Sequence, residues 1–407
     1  LRELTSPELE LPFELSQEER GLGPTMLLAR AILAAVPDAL ELGRADWALA
    51  KRTREALGRP LYDVSFRELM AAVLSPDAVE LAALGEGYET FLRDYNAADL
   101  LQVLCSLAGR DFLTPVEGYD ALPRALADGL VAAGGDLRMR HRLLNVERME
   151  NGILRCIFDV DGELAAFDAR AVVLALPRSA LELLDQQCFL FDDREARADL
   201  SSVAPVPASK LFLAYDEPWW EALGSEHGGV ATDLPLRQAI YFGHEGAAAG
   251  ADPGARAALL MASYNNSFST WYWADAFDLG RGVFEGREGA PAGLEAPVDM
   301  VEGAQRELAE AHGVEIPDPY WAAYRDWSHE PFGGGWAQWR LGARSFEIGP
   351  RVRSPVPGAH LFIVGDTYSD LQGWVEGALS TAERVLQDNL RLPWPADRLP
   401  ADYELGP

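Results

Sequence analysis

Lysine is nearly absent from this chain: two residues, Lys51 and Lys210, stand against 33 arginines in 407 residues. The sequence uses Arg wherever a plain positive charge suffices, so each lysine asks for a chemical reason. Positive charge as a whole is scarce, with 35 Lys and Arg against 64 Asp and Glu and a net charge of -29. That argues against a nucleic-acid surface, because phosphate binding needs a concentrated cationic face to release counterions. Three cysteines, Cys105, Cys156 and Cys188, are too few and too scattered for a disulfide framework or a metal knuckle, and the six histidines lack ligand spacing. No metal site is expected. No apolar run reaches the ~18 residues of a membrane span. Nor does a leader pattern follow Leu1, which reads as the start of a processed or shortened chain, cytoplasmic or secreted after processing.

What is present points to packed domains. With 48% hydrophobic and 10% aromatic residues the chain can bury two or three sizeable cores. Ser16-Gln-Glu-Glu offers a capping box and Pro24 a first-turn proline before the apolar stretch 26–36, so helices are expected to dominate to about residue 110. From Asp136 the pattern changes. Leu137-Arg-Met-Arg, Leu143-Leu-Asn-Val-Glu and Ile153-Leu-Arg-Cys-Ile-Phe, punctuated by Asn151-Gly152 and Asp161-Gly162, predict a three-strand meander. Arg170-Ala-Val-Val-Leu-Ala-Leu-Pro177 then reads as a parallel strand buried on both faces. A second strand-rich stretch is expected from Ser209 to about Tyr272, a helix over 301–312, and a turn at Gly333-Gly334-Gly335.

The sharpest signal lies near the end. His360-Leu-Phe-Ile-Val-Gly-Asp366 is a strand that stops at glycine, and Gly373-Trp-Val-Glu-Gly-Ala378 opens a helix. Such a turn brings backbone amides and a carboxylate to a ribityl or phosphate group, though a simple capped loop has the same spacing. Lys210 sits inside an apolar strand, where a desolvated amine can exchange protons; an edge lysine facing water is the alternative.

The stretch Val364-Gly-Asp-Thr-Tyr-Ser-Asp-Leu-Gln-Gly-Trp-Val-Glu-Gly-Ala-Leu-Ser-Thr-Ala-Glu resembles the C-terminal FAD signature of the flavin amine oxidase superfamily, closest to L-amino acid oxidases and monooxygenases. The resemblance implies that Asp366, where Glu is commoner, holds the ribityl chain beside Gly365. It also makes Gly373 an acceptor for the substrate amine, and Trp374 and Val375 neighbours of the ring. Other segments follow in family order. Gly118-Tyr-Asp-Ala-Leu-Pro-Arg-Ala-Leu precedes the meander, Leu143 falls where adenine is contacted, and Leu174-Ala-Leu-Pro177 ends the next flavin-domain strand. Ser209-Lys-Leu-Phe-Leu-Ala-Tyr-Asp-Glu-Pro-Trp-Trp220 resembles the strand whose lysine holds a water at flavin N5, which gives Lys210 a catalytic role. Thr232-Asp-Leu-Pro-Leu-Arg-Gln-Ala-Ile-Tyr-Phe242 and Leu259-Leu-Met-Ala-Ser-Tyr264 resemble the substrate hairpin, with Tyr264 binding the carboxylate; a core tyrosine is the rival reading. In Asp326-Trp-Ser-His-Glu-Pro-Phe-Gly-Gly-Gly-Trp-Ala-Gln-Trp339 the family lines the ring and pocket. Phe332, Trp336 and Trp339 become substrate-wall candidates, and Trp327 either a cofactor neighbour or packing.

The fold so implied is mixed α/β: a leading segment 1–16, a helical subdomain 17–110, an FAD-binding domain from 111–185 and 357–395, and a substrate domain 186–356. The family's strand, Gly-x-Gly-x-x-Gly turn and helix have no counterpart, since Gly21-Leu-Gly23 follows no strand and lacks a third glycine. A smaller partner chain carrying that segment is expected, assembled into a higher homo-oligomer. The implied reaction is oxidation of a large or aromatic L-amino acid by O2 with release of peroxide. Amide-forming monooxygenation, basic amino acid or polyamine oxidation, and a flavin-free scaffold remain open.

Overall fold

The computed structural model describes residues 12–108, 115, 117–247, 250–287, 296–328 and 334–393. The chain forms two compact units, one from 1–102 and 203–344, the other from 103–202 and 345–407. The helical stretch expected over 17–110 therefore shares its unit, up to residue 102, with the large sheet.

In the first stretch α1 (Pro24–Ala35) starts at its proline after Gly23 and buries Leu27, Leu28, Ala31 and Ile32. The expected box at Ser16 does not open a helix. Its Glu19 accepts from the Ser16 amide at 2.9 Å, but also from the amide and hydroxyl of Ser75, both at 2.7 Å. Burial would raise the Glu19 pKa, yet these hydrogen bonds outweigh it and hold the carboxylate at about 2. The chain continues through α2 (Arg44–Thr53), a two-residue hairpin of β1 (Glu55–Ala56) and β2 (Arg59–Pro60), and α3 (Phe66–Ala71). The box that does form is Ser65 with Glu68, at the start of α3. Ser75 caps α4 (Pro76–Gly85), and α5 (Ala97–Leu107) follows. Lys51, one of the two lysines, pairs with Asp99, and both side chains are buried.

The second stretch begins with α6 (Ala121–Ala132), none of whose residues is buried. The meander is β3 (His141–Arg148), β4 (Leu154–Val160) and β5 (Glu163–Ala169), all antiparallel. Its strands differ from expectation: residues 137–140 form none, and the third strand follows the Asp161-Gly162 turn. Asp161 and Gly162 both take positive φ there, so the chain reverses after β4 rather than before it. Next, β6 (Val172–Leu174) pairs in parallel with a late strand, but only Leu174 is buried and Val173 is 44% exposed. The double burial expected of it is absent: the face carrying Val173 is left open among the described residues, although its partner strand is buried throughout. Two short helices, α7 (Arg178–Leu181) and α8 (Arg194–Leu200), complete this half.

The third stretch returns to the first unit. β7 (Val203–Val206) is followed by β8 (Ala208–Tyr215), β9 (Gly228–Ala231), β10 (Gln238–His244) and β11 (Ala258–Asn266). After α9 (Thr270–Leu279) and α10 (Val298–His312) come β12 (Trp321–Asp326) and β13 (Trp336–Trp339). Strands end at Asn266, so Tyr272 is helical. Five strands form one antiparallel sheet in the order β12-β8-β11-β10-β9. Leu211, Leu213 and Tyr215 of β8 bury on one face with Leu260 of β11, Trp273 of α9 and Met300, Val301, Ala304 and Leu308 of α10. The alternate β8 residues, Lys210 and Phe212, take the other face.

The fourth stretch contains α11 (Ser345–Arg353), whose Arg351 grips Asp199 of α8 with two 2.7 Å hydrogen bonds. Then β14 (Leu361–Ile363), wholly buried, lies beside β6, and α12 (Val375–Arg384) ends the signature.

Candidate active site

In the first unit Lys210 lies directly across from Tyr264 of β11 and from Arg325 of β12. Strand parity alone would send Tyr264 to the core with Leu260 and Ala262. A β-bulge between Met261 and Ser263 inserts one residue, which carries Tyr264 to the opposite face. The Lys210 Nζ is 4.8 Å from the Tyr264 ring centre and 5.8 Å from that of Trp327. No carboxylate pairs with Lys210 among the described residues. Desolvation lowers its pKa, because an ammonium against aromatic faces loses more water than it regains.

Tyr264 meets a second tyrosine that the sequence did not single out. Tyr88 packs edge-on against it, ring centres 5.9 Å apart, and the hydroxyls interact. Burial, reinforced by Tyr88, drives the Tyr264 pKa up, so its hydroxyl stays a proton donor at neutral pH. Tyr88 is held there by polar locks. The Gly87 carbonyl accepts from Gln238 Nε2 at 3.0 Å and Asn266 Nδ2 at 3.1 Å, while Thr90 donates to Asn266 Oδ1. A glycine at 87 is required: φ is +72°, and a Cβ would lie 2.2 Å from the Gln238 side chain. The only sequence signal for Tyr88 is this Gly-Tyr pair, far from the strands it joins.

The aromatic candidates divide by burial. Trp327 is 42% exposed, Trp336 is half-buried on β13, and Trp339 is 1% exposed, which makes it interior packing. Phe332 lies outside the described residues.

In the second unit Gly365 ends the strand at φ +134°, and its amide donates to Thr381 Oγ1 of α12 at 2.9 Å. Asp366 Oδ2 accepts from the Gly373 amide at 2.9 Å, closing the turn that carries Trp374 and Val375. Gly373 takes φ +82°. Trp374 caps α12 and, like Val375, is exposed. Burial raises the Asp366 pKa, partly offset by the Gly373 amide, and no cation pairs with the carboxylate among the described residues. A half-buried carboxylate held by amides, beside a glycine with open space where a Cβ would stand, fits a polyol hydroxyl of a nucleotide cofactor. Pro177 is exposed at the start of α7, and Leu143 is half-buried at a bulge in β3.

A family model for flavin containing amine oxidoreductases matches residues 24–388. The chain belongs to that family. The cofactor of this amine oxidoreductase is accordingly FAD. Aplysianin-A of Aplysia kurodai is 29% identical over 83% of this chain and 63% of its own length. Achacin of Lissachatina fulica is 25% identical over 81% and 64%. An L-amino-acid oxidase of Mus musculus is 25% identical over 92% and 53%. The chain spans less than two thirds of these relatives. A redesigned putrescine oxidase shares the fold, with a TM-score of 0.62 at 17% identity over 94% of this chain and 77% of that one. No helix among the described residues is long and apolar enough to cross a membrane.

Proposed function

We propose that this amine oxidoreductase oxidises the Cα–N bond of an L-amino acid, giving an imino acid that hydrolyses to the keto acid and ammonia while O2 becomes H2O2. The observation that carries it is the pairing of unneutralised Lys210 with a permanently protonated Tyr264 on one sheet face. Together they offer two hydrogen-bond donors for a carboxylate or an ordered water. Bound FAD supplies the two-electron acceptor. Tyr264 orients the substrate carboxylate, Tyr88 fixes the Tyr264 ring, and Lys210 holds a water and exchanges its proton. The exposed face of Trp327, with Trp336, favours a large or aromatic side chain, since stacking adds about 0.5–1.5 kcal/mol per pair.

The second unit supports a dinucleotide-binding segment beyond the described residues or on a second chain. A two-stranded parallel pair is marginal by itself, and α6 presents Leu122, Leu126 and Leu130 to solvent. The test is a panel of L-amino acids, their D-isomers and putrescine, with peroxide and keto-acid detection. Preference for Phe, Tyr or Trp is expected; putrescine outpacing every L-amino acid refutes the substrate class, and preference for Lys, Arg or Glu refutes the aromatic wall.

A further inference from the structure

We propose that a second site in the first unit binds a small carboxylate with an apolar substituent. It is a cavity of about 300 Å³ lined by Ala83, Leu84, Glu89, Leu92, Arg93, Arg237 and Phe268. That volume lies at the lower end of the range for small-molecule pockets, roughly 300–1,000 Å³.

Arg237 is the decisive residue. It is 6% exposed, its Nη1 donates to the Thr232 carbonyl at 2.9 Å, and its Nε is buried without a hydrogen-bond partner. The nearest carboxylate, Glu89, stands 3.9 Å away, too far to satisfy that donor. Glu89 is also committed elsewhere: its Oε2 accepts from the amides of Phe268 and Ser269 at 3.1 and 3.2 Å. A tight turn fixes the Arg237 backbone at φ +57°, with the Thr232 amide donating to its carbonyl at 2.8 Å. This strained placement holds a buried guanidinium whose charge Glu89 and Asp233 offset from a distance but whose Nε they leave without a hydrogen-bond partner.

The second cation is Arg93. Its guanidinium carbon lies 3.3 Å from the Phe268 ring centre. Stacking uses the face of the guanidinium and leaves its N–H edge free for a planar acceptor. No carboxylate pairs with Arg93 among the described residues. Two guanidiniums against one occupied carboxylate make a locally cationic pocket in a chain of net charge -29. A carboxylate matches the fork geometry of Arg, and half-buried Leu84 and Leu92, with the exposed Phe268 at the rim, give its apolar end a wall. Inorganic phosphate has nothing to place there.

Calorimetric titration of the purified protein with 4-methylpentanoate tests this, with 4-methylpentanamide as uncharged isostere and inorganic phosphate as third probe. Saturable binding of the acid is expected, at least tenfold tighter than the amide or phosphate. Arg93→Gln weakens it at least tenfold; Arg237→Gln does the same if that variant folds. Tyr264→Phe leaves it within twofold, which separates this site from the proposed catalytic one. Equal binding of acid and amide, phosphate binding as tightly as the acid, unchanged affinity in Arg93→Gln, no binding, or loss in Tyr264→Phe each overturns the proposal.

Discussion

Replacing Lys210 by Met separates a chemical role from a structural one. The methionine keeps the length and apolar stem but removes the ammonium lying 4.8 Å from Tyr264 and 5.8 Å from Trp327. The lost cation–π attraction is worth about 0.5–2 kcal/mol. Against it stand relief of an uncompensated, desolvated charge and a thioether contact with the same rings of about 0.3–1.5 kcal/mol. These nearly cancel, so the melting temperature should move by no more than about 4 °C, the shift expected for roughly 1 kcal/mol in a unit of this size. Turnover should fall at least tenfold, about 1.4 kcal/mol of barrier, with flavin still bound. The pH dependence adds a signature. Desolvation depresses the folded pKa below 10.5, so between the two values the unfolded chain binds more protons and stability rises with pH. The variant loses that rise. Oxygen consumption at saturating amino acid, flavin absorbance and melting curves across pH form the assay. Turnover within twofold of the parent, or a large drop in melting temperature accompanying the lost activity, refutes the reasoning.

Asp366→Asn should weaken flavin retention about tenfold or more, from a charge-assisted hydrogen bond of about 1.5–3 kcal/mol, as read by residual flavin after dialysis. Because burial raises the Asp366 pKa, its ionisation on raising the pH costs folding stability; the flavin-free variant should melt no lower than the parent at neutral pH and show less decline as pH rises. Asn266→Ala breaks the locks to Gly87 and Thr90 and should cost about 1–3 kcal/mol in chemical denaturation while raising KM through a loosened Tyr88. Gly335→Ala should cost at least about 1 kcal/mol, since φ is +59° and its Cβ would lie 2.1 Å from the Val206 carbonyl oxygen; an unchanged melting temperature contradicts the close approach seen there.

Local chemistry made the last hundred residues the easiest to read. The apolar strand, the stop at Gly365 and the helix opened after Gly373 each follow from neighbouring residues, and β14 and α12 lie where the pattern puts them. Lys210 stood out as a candidate for a different reason, its scarcity, and it lies within β8 where the apolar pattern put a strand. Reading failed where distant partners decide. Glu19 seemed part of a capping box at Ser16 but is recruited by Ser75. Trp339 looks like a pocket wall by type and position yet fills the interior. Tyr88 is named by no local pattern, because hydrogen bonds from Gln238 and Asn266 place it. The bulge at Met261–Ser263 is equally silent, since parity predicts the wrong face for Tyr264.

The parallel pairing of β6 with β14 joins residues 172–174 to residues 361–363. During synthesis the first of these strands leaves the ribosome long before its neighbour exists, and the whole sheet-bearing stretch 203–344 is made in between. The interrupted unit must therefore wait, exposing its half-sheet, until the C-terminal strand arrives to close a very long loop. The Asp366 turn follows that strand, so it too closes late, and on the proposed function a nascent chain stalled before residue 361 would hold the sheet of Lys210 and Tyr264 without the turn proposed for the ribityl chain.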